Sequence, residues 1–200
     1  MALTTLDVAN GALIKLGVAD PIVSLDDETK PARLCKNRIE PCKRALLRYH
    51  PWNFAIKRVT LANLATAPAF GYTYQAQLPS DFLRVVQVDD RRTSYRIEGG
   101  KLLSHETAIE LRYVYDFGSN YSAADPLFIE CLSLWLANDI ALALTQDSAI
   151  KDRAAQELQM ALSKARFVDA TEEPAEELRA DGWDNARVGG DVVMPSTDLE

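Results

Sequence analysis

Residues 48–55 read RYHPWNFA, and the period of the apolar pattern changes across them. Before this stretch, Cys35, Ile39, Cys42, Leu46 and Tyr49 recur at alternating spacings of four and three, a narrow seam along one helix face. After it come short segments rich in β-branched and aromatic residues. His50 precedes a proline, which pushes it out of the α region and ends the helix. The stretch therefore reads as a corner. His50 and Pro51 make the turn, and Trp52 and Phe54 are expected to plug the join between a helical part and a sheet.

Working back from the corner, the helix should begin near Thr29, with Pro31 in its first turn. Pro41 lies inside the pattern, removes one backbone donor and is expected to kink or split the helix. The bases Lys36, Lys43, Arg44 and Arg48 fall mostly off the seam, so their heads are expected in water or on another subunit. Further upstream, Thr4 or Thr5 can cap a first helix with Leu6, Ala9, Leu13 and Leu16 on one stripe. Gly17 suits its C-terminal cap, and residues 21–27 read as a loop.

Working forward, strand chemistry appears at 56–62, 72–78, 83–88, 94–97, 101–104 and 109–115. Leu111, Tyr113 and Tyr115 alternate with Arg112 and Val114, the mark of a half-buried strand. Gly99-Gly100 is a tight hairpin signal, and residues 78–81 make a turn. These segments predict an antiparallel β unit. Asp125-Pro126 then opens a helix that is apolar nearly all round to Leu144, which predicts burial on every side, against the chain's own core or a second copy. Asp147 caps a last helix with Ile150, Ala154, Leu158, Ala161, Leu162 and Ala165 facing inward.

The chain has 200 residues, enough for one domain with or without an appendage, and its 48% apolar composition suits a packed core. Its net charge of −7 is unevenly placed. From Thr171 onward nine acids face only Arg179 and Arg187, so residues 1–170 are formally neutral. Residues 30–58 carry nine bases against Glu40 alone. A neutral body with an acidic tail is unlike a DNA-binding domain, which carries a basic stripe. It fits a protein whose partners are proteins. The tail, with Pro174, Gly182, Gly189-Gly190 and Pro195, has no periodic apolar face. It is expected to be extended or disordered alone and to gain order on a partner through Trp183, Val192, Val193 and Met194. No apolar run reads as long enough to span a bilayer. The N-terminus lacks the basic start and apolar block of a signal peptide, so synthesis and folding in a cytoplasm are expected.

Catalytic chemistry finds little support. Cys35, Cys42 and Cys131 are odd in number, and no Cys-x-x-Cys pair accompanies His50 and His105, so neither a disulfide framework nor zinc is expected. Cys35 and Cys42, seven apart, read as small buried side chains. His50 is the more tempting base, yet no nucleophile elbow or reactive-cysteine context accompanies it. His105 reads as the exposed tip of a polar hairpin. No Gly-Lys-Ser/Thr follows Gly99-Gly100, so it is no phosphate loop. Asp26-Asp27 and Asp89-Asp90 sit in loops. No cofactor and no enzymatic activity are expected.

The order of parts resembles the tail tubular protein A family of short-tailed bacteriophages, also called the head-to-tail adaptor or gatekeeper. The resemblance covers about residues 3–170. It is carried by Leu16-Gly17 with 21–25, the corner of Trp52, Asn53 and Phe54, and the turn at 78–81 with Leu83-Arg84-Val85. The hairpin from Tyr95 through Gly99-Gly100-Lys101-Leu102, Leu111-Arg112-Tyr113, Pro126 with Phe128, and an Ala-rich last helix complete the series.

The resemblance implies a virion protein without catalytic role. Copies, twelve in such a ring, would sit below the portal protein and above a nozzle protein, continue the DNA channel and offer surface for tail fibres. DNA would be passing cargo only, and no membrane would be involved. The expected fold is α+β. Helices at 4–50 and 125–170 form a bundle with a β insertion at about 53–118, making an adaptor domain of residues 1–170 with a flexible acidic arm at 171–200. Lys36, Lys43, Arg44, Arg48, Trp183, Val192, Val193 and Met194 are the expected partner contacts. Two alternatives stand: a head-completion or tail-terminator neck protein of a long-tailed phage, and a small hydrolase using His50.

Overall fold

The computed structural model describes residues 3–18, 20–89 and 93–172. They form an α+β fold of four helices and two antiparallel three-stranded sheets. Helix α1 (Thr5–Lys15) starts at a capping box. The Thr4 hydroxyl accepts from the Asp7 amide, and the Asp7 carboxylate accepts from the Thr4 amide. Leu16 is its C-cap and Gly17 follows at φ 78°, a left-handed position that suits glycine. The loop beyond is held by Asn10, whose side chain donates to the Ile22 carbonyl and accepts from its amide.

Helix α2 (Lys30–Tyr49) is capped by Thr29 and runs unbroken through Pro41. The expected split does not occur. Pro41 and Asn37, whose carbonyl loses its donor, both face solvent, while Ile39, Cys42 and Leu46 hold the seam on either side. Strands β1 (Ile56–Leu61), β6 (Ile109–Tyr115) and β3 (Phe82–Val88) form one sheet in the order β1-β6-β3. Strands β2 (Tyr74–Gln77), β5 (Lys101–Ser104) and β4 (Tyr95–Glu98) form the other, in the order β2-β5-β4. Gly99 and Gly100 both have positive φ, as the two-residue hairpin between β4 and β5 requires.

Helix α3 (Pro126–Thr145) is capped by the Asp125 carboxylate, which accepts from the Leu127 and Phe128 amides. It packs on α1, α2 and α4 (Ser148–Thr171). By length and composition alone α3 could cross a membrane, which the sequence reading did not expect. Half of that stretch is buried inside the protein, and its two acids, Glu130 and Asp139, pair with Lys15 and Arg38. The chain's own core does not bury α3 on every side, for Leu142 is half exposed.

Two apolar clusters result. The larger joins the four helices with Trp52, Leu83, Val114 and Tyr121. The smaller lies between the sheets, where Leu61, Val88, Ile109, Leu111 and Tyr113 meet Ala76, Leu78 and Leu102. All three cysteines are free and buried. Burial pushes the Cys35 and Cys131 thiols up to about 11 and Cys42 to about 12, far from the range of a reactive thiolate.

Candidate partner interface at the helix-to-sheet corner

The corner is built around Trp52, which is fully buried. Its ring meets His50 and Phe128 edge to face, at centroid distances of 4.9 and 5.3 Å. Phe54 stands 5.0 Å from Phe128 and 5.8 Å from Phe117, so one aromatic cluster spans the turn, the approach to α3 and α3 itself. The backbone makes a single 3-10 turn at Asn53–Ala55 before β1 begins.

A helix ends with four carbonyls that lack intrahelical partners. Here side chains meet three of them. Trp52 Nε1 donates to the Leu46 carbonyl at 3.0 Å. Arg84 from β3 donates to the Arg48 carbonyl at 3.0 Å and to that of Tyr49 at 3.5 Å, placing a cation at the negative end of the helix dipole. Helix α4 fixes the turn from the other side. Asp169 Oδ2 lies 2.9 Å from His50 Nε2, and its Oδ1 accepts from the Asn53 amide at 3.0 Å. The Asn53 side-chain amide donates to the Asp169 carbonyl at 2.7 Å.

The four basic residues of α2 expected at an interface are engaged inside the chain. Lys43 is a correction to the expected interface, because its side chain is completely buried. Its ammonium donates to the Gly118 carbonyl at 2.6 Å and pairs with Glu40 at 2.7 Å and Asp116 at 3.1 Å. It also stands 5.2 Å from the Phe117 ring. Burial of an ammonium needs such partners, and the loop after β6 supplies them. Arg44 pairs with the other oxygen of Asp116 at 3.0 Å, and Lys36 pairs with Asp26 at 2.7 Å. Arg48 donates to the Leu83 carbonyl. Trp183, Val192, Val193 and Met194 lie outside the described residues.

Asp169 is the residue that sequence reading missed. Its signal was available: the inward stripe Leu158, Leu162, Ala165 continues by four to Asp169, a carboxylate at an apolar position. Tyr49, His50, Ser163, Arg166, Phe167 and Ala170 line a shallow depression of about 450 Å³ beside the corner. Its walls are exposed at Tyr49 and Phe167, at 46% and 71% of their full surface. Arg166 leans over Tyr49, 5.8 Å from the ring, and donates to its hydroxyl at 3.3 Å. His105 is exposed, with Nδ1 3.0 Å from the Thr73 hydroxyl. Among the described residues, no group of three or more His, Cys, Asp and Glu could hold a metal ion.

Neither a family model nor a curated protein matches the chain.

Proposed function

We propose that this chain is a structural virion protein, the ring-forming head-to-tail adaptor of a short-tailed bacteriophage. In this reading the helices at 4–50 and 125–170 form one bundle of residues 1–170, the strands at about 53–118 are its insertion, and 171–200 is a flexible acidic arm. Copies close into a ring, with twelve the number the resemblance implies. The ring joins a portal protein to a nozzle protein, lets DNA pass, and carries tail fibres.

The observation that carries the reading is the order of parts. A short capped helix, a long basic helix, the Trp52 corner, the antiparallel strands, an apolar helix and an Ala-rich helix follow in the series of the resembling family. Exposed apolar side chains on three helices support it. Ile14 on α1, Leu142 on α3, and Met160 and Phe167 on α4 are each half or more exposed. A heterologous ring needs such surface on more than one side of each subunit.

The test is negative-stain microscopy of the purified protein, alone and mixed with portal protein. Closed rings, or portal particles with added density on one face, are expected. Monomers that leave portal particles unchanged would overturn the proposal. Rings that cap tail tubes rather than join portal to nozzle would favour a neck protein of a long-tailed phage.

One observation favours a hydrolase, the close pairing of His50 with Asp169 beside Ser163. The adaptor reading is preferred because both Asp169 oxygens serve the corner, and His50 Nε2 is spent on that bond. Esterase activity lost in a His50→Ala protein that still folds would reverse the preference.

A further inference from the structure

Three guanidinium groups gather around the end of α2, and among the described residues none has a carboxylate at ion-pair distance. Arg48 donates to the Leu83 carbonyl, Arg84 to the carbonyls of Arg48 and Tyr49, and Arg166 to the Tyr49 hydroxyl. All three are exposed. Asp169, which bonds the lining residue His50, is buried and gives its oxygens to His50 and the Asn53 amide. Beside these cations stand two exposed rings, Tyr49 and Phe167. An aromatic depression with Arg166 in its wall, and Arg48 and Arg84 at the adjoining helix end, is a receptor for an acidic segment with an aromatic anchor.

The chain carries such a segment. Residues 173–200 hold eight acids against two arginines, most of the protein's negative charge, and Trp183 is the one large aromatic among them. We propose that segment 173–200 folds back onto the corner of its own chain, seating Trp183 against Tyr49 and Phe167 and its carboxylates against Arg48, Arg84 and Arg166. The reach is ample. Helix α4 ends at Thr171, about 12 Å along its axis from Ser163 at ~1.5 Å per residue. Trp183 follows Glu172 by eleven residues, which can span up to ~36 Å when extended. A tether this short holds the anchor at an effective concentration in the ~mM range, so weak complementarity suffices. The inference stands on charge and geometry and does not depend on the adaptor reading.

The test uses the full chain labelled with 5-fluorotryptophan. Three resonances are expected, from Trp52, Trp135 and Trp183, with Trp183 assigned by its loss in Trp183→Phe. At low salt the Trp183 line should lie away from the position of free fluorotryptophan. It should lose most of that displacement in Arg84→Glu/Arg166→Glu, and also in ~1 M salt, where the Debye length falls to ~3 Å. The buried Trp52 line should stay in place and reports the fold. Phe167→Ala, which trims an exposed ring, gives a second route to the same loss. A Trp183 line at the free position in the unaltered protein would overturn the proposal. So would a displacement that the substitutions leave intact, or one that vanishes on dilution, which would place the segment on another copy.

Discussion

His50 Nε2 and Asp169 Oδ2 lie 2.9 Å apart although 119 positions separate them in the chain. Asp169 sits in the last turn of α4, so the end of the described fold holds the turn that divides its first helices from its strands. The same carboxylate takes the Asn53 amide, and its own carbonyl takes the Asn53 side chain. The corner is thus fixed from three directions, by Trp52 beneath, Arg84 beside and Asp169 across.

Asp169→Ala should destabilise more than His50→Gln. The first strands the Asn53 amide and the imidazole without an acceptor, at about 1–3 kcal/mol. The second keeps a donor of similar size. For a domain of this length each kcal/mol shifts the melting temperature by roughly 2–4 °C. Thermal melts of the two variants should therefore separate clearly, and coincident melts would show that the Asp169 contacts add nothing.

Trp52→Ala should be the costlier change at the corner. It opens a cavity between α2, α3 and the 3-10 turn and strands the Leu46 carbonyl, at about 3–5 kcal/mol. That is a large share of the ~5–15 kcal/mol that holds a domain together. Urea unfolding would measure it. A midpoint near that of the unaltered protein would mean the ring is not the plug of this join.

Lys43 and Asp116 should show strong coupling. Asp116→Ala leaves an enclosed ammonium with Glu40 and one carbonyl, and breaking such a pair costs about 3–5 kcal/mol. Lys43→Met combined with Asp116→Asn removes both charges and should recover much of that loss. A double-mutant cycle by denaturant unfolding checks it. Simple additivity of the two single changes would contradict the picture of one shared buried site.

Asp81 and Tyr113 should give the stability profile two limbs. Burial alone would raise the Asp81 carboxyl, but hydrogen bonds from Lys57 and Tyr113 outweigh it and hold the group below the usual range. Its contribution is present above the ordinary carboxylate pKa of ~3.9 and is lost as pH falls below it. Tyr113 is pushed up to about 12, first by burial and then by its bond to Asp81. Its contribution is complete below the ordinary phenol pKa of ~10 and is lost as pH rises toward 12. Unfolding followed against pH in Tyr113→Phe should show a weakened alkaline limb. An unchanged limb would place the alkaline loss elsewhere.

Much of the architecture was legible because local rules and packing agree. The apolar spacing of α2, the proline after His50, the two glycines at positive φ and the caps at Thr29, Asp125 and Asp147 all locate their elements. The sheets were less legible. Strands read one by one do not reveal that β6 pairs with both β1 and β3 while β5 pairs with β2 and β4. The corner's aromatics were visible from the change of period; the inward stripe of α4 pointed at Asp169, but its partners, more than a hundred residues away, were not legible. Lys43 misled for a related reason. Its charge argues for the surface, and beside Glu40 it is the distant Asp116 and Gly118 that make its burial tolerable.

The bond between His50 and Asp169 also orders events in time. A chain emerging from a ribosome can form α1, α2 and the β4–β5 hairpin early, because their contacts are local. The corner cannot close until α4 is nearly complete, and contacts of such sequence separation come late and slowly. Until α3 docks, Trp52 and Phe54 lie uncovered, and until α4 follows the turn lacks its brace, a sticky interval in the life of every copy. The last turn of α4 is the latch that ends it, so a chain stopped a few residues short of Asp169 would keep most of its core and lack its closure.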